Sequence, residues 1–169
     1  MIEFHPLGET DLPMLCNWLN RQHLQSWWRS GKICIEEVRN KYLPRIAAED
    51  YARPFIAHLN SRPVGYIQYY RVAAEESDWW PDKPGPCVVG IDLFLADESN
   101  LDQELGTEMV TQFVKWLFND PNIQEIRIDT NPNNKRAIRC NEKAGFKKLG
   151  PITNPDEPTL MMILSRSDP

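Results

Sequence analysis

Apolar positions along this chain change period several times, and each change marks an element. From Val88 to Leu95 the period is two: Val89, Ile91, Leu93 and Leu95 share one face, and Gly90, Asp92 and Phe94 share the other. That stretch reads as a strand. A polar loop leads to Leu101-Asp102-Gln103-Glu104-Leu105-Gly106-Thr107, after which Met109, Val110, Phe113, Val114 and Leu117 recur at helical spacing. A strand, a turn near a glycine and a helix together aim backbone N–H groups at phosphate. The acid inside the strand, Asp92, needs a reason, because strands disfavour Asp.

The same reading places the other elements. Ile2 to Leu7 is a first strand, ended by Pro6 and Gly8. Thr10 is the expected N-cap of a helix carrying Leu12, Leu15, Trp18 and Leu19, with Pro13 in its first turn. The segment through Trp27-Trp28 stays helical or turn-like until Gly31. A second helix spans Glu36 to Glu49, with Val38, Tyr42, Leu43 and Ile46 inward and Pro44 bending or interrupting it. A hairpin follows: strand 54–59, turn Asn60-Ser61-Arg62-Pro63, strand 64–70. Residues 71–87, with Trp79 and Trp80, form a long loop of the kind that often carries function. Ile123 to Thr130 is a strand with Ile126 and Ile128 on one face and Arg127 and Asp129 on the other. A helix starts at 132–134 and ends at Ala144, where Gly145 is the C-cap. Strands near 146–153 and 159–165 close the chain. The pattern predicts an α+β, mixed α/β layer fold in a single domain spanning 1–169.

Composition narrows the function classes. The chain has 169 residues, enough for a proper core, and 24 acidic against 19 basic side chains give a net charge of −5. That argues against a nucleic-acid partner and favours a cationic small molecule or peptide, although solubility alone would explain it. Cys16, Cys34, Cys87 and Cys140 form no C-x-x-C pair, and the three histidines do not cluster with them. Reduced thiols, no metal and a cytoplasmic location are expected. No signal segment or membrane-length apolar run is present.

At residues 134–146 the chain resembles a known family. Asn134, Ala137, Lys143, Gly145 and Phe146 fit the spacing N-x-x-A-x-x-x-Y-x-K-x-G-F of the GNAT superfamily of acetyl-CoA-dependent N-acetyltransferases. Further strings resemble the aminoglycoside 6'-N-acetyltransferases within it: Asn17-Trp18-Leu19-Asn20-Arg21, Trp27-Trp28, Tyr42-Leu43-Pro44, Pro63-Val64-Gly65-Tyr66, Trp79-Trp80, Gly90-Ile91-Asp92, Leu117-Phe118-Asn119-Asp120-Pro121 and Arg136-Ala137-Ile138-Arg139-Cys140. The resemblance covers essentially the whole chain. It implies the GNAT fold, a central, mostly antiparallel twisted sheet splayed at an acetyl-CoA site and flanked by helices.

The resemblance also implies roles. Backbone groups of Leu93, Phe94 and Leu95 would bond the pantetheine arm. Gln103, Glu104, Leu105, Gly106 and Thr107 would hold the pyrophosphate at a helix N-terminus. Asn134 and Ala137 would meet the cofactor from the next helix, although on spacing alone Asn134 is better read as a plain N-cap. Asp92 would orient the substrate ammonium and take its proton; a plain ion pair with a neighbouring Arg would also explain an Asp there. Trp28, Tyr66, Trp79, Trp80, Asp129 and Asp156, together with Asp92, would line the polycation site, where aromatic faces and carboxylates suit sugar ammonium groups. Core packing is the alternative for the aromatics and turn chemistry for the two acids.

Two departures stand out. The family's Tyr, taken as the acid for the leaving thiolate, is Asn141 here, so Asn141 occupies a catalytic position without a suitable proton. Asp102 and Glu104 stand where the phosphate loop normally carries glycines, leaving Gly106. The expected activity is acetyl transfer to an amine, foremost the 6'-amine of aminoglycosides, by a monomer or homodimer. Another amine as substrate, or a binding domain without turnover, are the alternatives.

Overall fold

In the computed structural model, every residue is described except Arg29 and residues 75–83, 153–157 and 167–169. The chain divides into two compact units, Met1–Gln68 with Leu93–Leu101, and Tyr69–Asp92 with Asp102–Pro169.

The first unit contains β1 (Ile2–Pro6), α1 (Leu12–Leu19), α2 (Gln22–Gln25), α3 (Ile35–Ile46), β2 (Ala52–Leu59) and most of β3 (Arg62–Arg71), with strand order β1-β2-β3. β1 runs antiparallel to β2, from Ile2 opposite Leu59 to Pro6 opposite Phe55. Leu12, Leu15, Trp18 and Leu19 of α1 are buried with Val38 and Tyr42 of α3, Ile56, Tyr66 and Phe94. Their helical spacing is what the sequence displays.

Three expectations are corrected here. The N-cap of α1 is Asp11, not Thr10, which sits in a 3-10 turn at Glu9–Asp11; the Asp11 carboxylate accepts the Gly8 N–H at 2.9 Å. Pro44 does not interrupt α3, which runs on to Ile46. The hairpin turn is the two residues Asn60 and Ser61, both at positive φ, so the return strand starts at Arg62. The segment before α3 is braced by Asn20, whose amide nitrogen donates to Ile33 O and whose amide oxygen accepts from Ile33 N, both at 2.9 Å.

The second unit holds β4 (Val88–Leu95, its last three residues in the first unit), α4 (Leu105–Leu117), β5 (Glu125–Thr130), α5 (Lys135–Lys143), β6 (Lys147–Ile152) and β7 (Thr159–Ser165), with strand order β4-β5-β7-β6. β4 and β5 are parallel, with Val88 opposite Glu125 and Gly90 opposite Arg127; a parallel pair needs a crossover, and α4 is in it. β7 pairs antiparallel with both β5 and β6. Strand alternation then defines two faces. One carries Ile126, Ile128, Thr130, Met162 and Leu164, with α5 against it: Asn141 touches Thr130 and Met162. The other carries Gly90, Asp92, Glu125, Arg127, Asp129, Met161 and Ile163.

Among the described residues no helix is long and apolar enough to cross a membrane.

Candidate active site

Asp92 lies on the polar face of the second unit, half-buried near the middle of β4. Two residues before it, Gly90 is buried beneath a ring: a Cβ there would stand 2.6 Å from both Cε2 and the hydroxyl oxygen of Tyr70. Glycine in this strand is therefore a requirement of close approach. The parallel register with β5 covers Val88–Gly90 and, among the described residues, stops one row before Asp92 and Asp129. By strand alternation Asp92 shares the face of Gly90 and Asp129 the face of Arg127, each two residues further along its own strand.

The loop before α4 is shaped by two acids in a left-handed backbone, Asp102 at φ 62° and Glu104 at φ 60°. This region suits glycine, and both positions are those where the resemblance calls for it. Each acid is held by a cation of α5. Arg136 reaches Asp102 at 2.9 Å, and Lys143 pairs with Glu104. The Lys143 hydrogen bond and charge hold the Glu104 carboxyl below the usual carboxylate range. A lowered folded value means the pairing is present at neutral pH and is lost as pH falls through that value. Glu104 is also the N-cap residue of α4, and its side chain makes no capping hydrogen bond. The first-turn N–H groups of Leu105, Gly106 and Thr107 thus stand without a capping acceptor, a donor set that fits a pyrophosphate. Cys140 packs near this turn, and burial pushes its thiol up.

On α5 the sequence expectations change. Asn134 is the N-cap: its side-chain oxygen accepts from Ala137 N at 3.1 Å, which spends both members of that pair on starting the helix. Asn141 is corrected from a catalytic position. It is 2% exposed, and its amide nitrogen donates to Thr130 Oγ1 at 3.2 Å and lies 3.9 Å from Met162 Sδ. Those contacts place it on the sheet face opposite Asp92 and make it a tie between α5 and the sheet.

In the first unit, Tyr66 is likewise corrected. It is fully buried and its hydroxyl donates to Gln68 Oε1 at 2.6 Å, so it cannot present a face to substrate. Arg45 donates to the same Gln68 oxygen at 2.8 Å. Trp28, partly buried, packs edge-on against Tyr66 and Phe94, with centroids at 6.0 and 4.9 Å. Phe94 stacks on Tyr66 at 5.3 Å; Leu93 and Leu95 flank it at the end of β4. Trp79, Trp80 and Asp156 lie outside the described residues.

Sequence reasoning passed over Arg127, Tyr70 and the two α5 cations. Arg127 was visible only as a polar position beside Ile126 and Ile128. The signal for Tyr70 was the glycine in the strand at position 90.

Comparison with known proteins completes the description. The acetyltransferase (GNAT) domain family matches residues 8–154. An aminoglycoside N(6')-acetyltransferase type 1 of Klebsiella pneumoniae is 43% identical over 162 residues, which is 95% of this chain and 81% of that protein. AAC(6')-Ib in complex with paromomycin and acetyl-CoA is similar at a TM-score of 0.92 and 41% identity, over 99% of this chain and 94% of that one. AAC(6')-Ib with coenzyme A and kanamycin gives 0.91 at 41% identity, over 99% and 96%.

Proposed function

This chain belongs to the GNAT acetyltransferases, and from that premise we propose that it transfers acetyl from acetyl-CoA to the 6'-amine of aminoglycosides. The fold class expected from the sequence, mixed α and β with a largely antiparallel sheet, is the GNAT fold. The observation that carries the substrate is the likeness, along 95% of the chain, to an enzyme named for that amine. The family match spans both units, which supports reading the chain as one acetyltransferase domain.

Roles follow residue by residue. The N–H groups of Leu105, Gly106 and Thr107, with Gln103 and Glu104 in the turn before them, receive the pyrophosphate. Leu93, Phe94 and Leu95 offer backbone groups to the pantetheine arm, and Asn134 and Ala137 shape the start of α5 beside it. Bound acetyl-CoA supplies an acetyl group already activated as a thioester. Asp92 orients the substrate ammonium and accepts its proton, so that the amine lone pair is available for attack. Asp129 provides a second carboxylate on the same face, and Trp28, Trp79, Trp80 and Asp156 complete the recognition of a polycation with sugar faces.

The test is a thiol-release assay with acetyl-CoA against aminoglycosides and simple amines. Aminoglycosides with a free 6'-amine are expected to turn over, and one with a 6'-hydroxyl is expected not to be acetylated there. Turnover confined to peptides or metabolites would sink the antibiotic reading and leave the family assignment standing.

The phosphate loop gives a second expectation. Glu104 brings a negative charge and a backbone strained for its residue type to the place a pyrophosphate must approach. Glu104→Gly removes both and is expected to tighten acetyl-CoA binding about fivefold. Glu104→Gln releases Lys143 as well and recovers the charge part alone, a gain that raised salt should shrink. Calorimetry on the three proteins at two ionic strengths decides it. Equal or weaker binding by both variants would mean the pyrophosphate sits elsewhere.

A further inference from the structure

The strangest charge in the second unit is Arg127. It is 4% exposed in the middle of β5, where a guanidinium is costly to bury unless carboxylates surround it. Its Nε donates to Glu125 Oε1 at 2.6 Å, at the start of the strand. Its Nη1 lies 3.9 Å from Met161 Sδ. Met161 is the register partner of Asp129, so the guanidinium reaches from the row of Glu125 forward to the row of Asp129. The residue opposite Arg127 on β4 is Gly90, and the Tyr70 ring lies over that glycine. Asp92 follows Gly90 on the same face as Asp129 follows Arg127. A fixed positive charge with five donors is therefore held at the base of a carboxylate row.

We propose that Arg127 is a positioning residue for acetyl transfer, its guanidinium keeping the Asp92 and Asp129 carboxylates ionised and aligned before the substrate ammonium arrives. The inference rests on reading that face as the amine site. Among the described residues of its unit, the groups on the face of Arg127 are Glu125 and Asp129 on β5, Asp92 on β4 and the Tyr70 phenol on β3; β7 contributes Met161 and Ile163 there, and Lys147 stands beyond it, paired with Ile163 on β6. Carboxylates sharing one face disfavour one another's ionisation; a buried cation on that face opposes this, and it also lowers the net negative charge offered to a polycation. Arg127 thus restrains how strongly the face attracts ammonium groups while keeping its base ready.

The distinguishing readout is the ratio of variant to wild-type kcat/KM across pH, in which the titration of the substrate amine cancels. For Arg127→Gln the ratio is expected to be depressed about tenfold at the acid end and to climb toward unity, with a lower KM for the polycation, at the alkaline end. Arg127→Lys keeps the charge and should hold the wild-type pH dependence. Glu125→Gln, at a partly exposed position, gives an answer even if Arg127→Gln fails to fold: removing the carboxylate that competes for the guanidinium, it should raise the ratio at the acid end. A uniform loss in Arg127→Gln at every pH, or a flat ratio in Glu125→Gln, would overturn the proposal and leave Arg127 structural. Absence of amine acetylation by the wild type would remove the reading of the face and the inference together.

Discussion

Asp92→Asn is expected to lower kcat/KM for the amine substrate by about 10²-fold or more, the scale of a positioned acid–base group, while acetyl-CoA affinity barely changes. The substitution keeps shape and can keep hydrogen bonds, so the half-buried strand position should tolerate it. What it loses is charge and basicity. An amine enters as an ammonium ion and must shed a proton before its nitrogen can attack the thioester carbon. An amide oxygen does not take that proton near neutral pH, nor does it attract the cation. Part of the loss should therefore appear as a raised KM and the larger part as a lowered kcat. The donors proposed for the cofactor are on the loop before α4, away from the changed atom in sequence and element. Steady-state kinetics with calorimetry for acetyl-CoA separates the two. Near-normal turnover would assign Asp92 to the fold.

Gly90→Ala is expected to cost about 2–3 kcal/mol, the upper part of the range for overpacking a filled core, which for a chain of this size lowers Tm by roughly 5–10 °C. The added methyl would meet the Tyr70 ring, itself 6% exposed and with little room to withdraw. In strands Ala is otherwise the better residue, so the sign of the change belongs to the ring. The check is a double-mutant cycle by thermal unfolding: in a Tyr70→Ala background, the penalty for Gly90→Ala should vanish or turn into a small gain. The same penalty in both backgrounds would show that the ring does not restrain this position. A displaced ring would also disturb the row in which Asp92 lies, so Gly90→Ala should lose activity below the temperature at which it melts.

Periodicity made the central elements legible. β4 and α4 fall where alternation and helical spacing put them; α4 buries one clear face, while β4 is buried on both except at Val88, Asp92 and Leu93. The family's motif on α5 was legible as a helix start, and Asn134 became the cap that its spacing alone favoured. What was hidden depends on neighbours distant in sequence. Gln68 lies only two residues from Tyr66 on the same strand face, but the Tyr42 and Phe94 rings that seal Tyr66 in come from elsewhere in the chain. Nothing near Asn141 tells that its amide will meet Thr130. The two-residue turn was missed because Ser61 at positive φ carries no compositional mark, whereas glycine would have. Arg127 was legible only as a position on the face opposite Ile126 and Ile128; its burial goes with the parallel pairing to Gly90, which no local pattern announces.

The left-handed backbone at Glu104 bears on how this enzyme can change. Every codon for glutamate becomes one for glycine through its middle base alone, and the chain at that position already has the shape glycine prefers. The exchange asks no neighbour to move, and it releases a surface lysine rather than stranding a buried one. Selection that rewards tighter hold on the acetyl donor would therefore find its first step one mutation away.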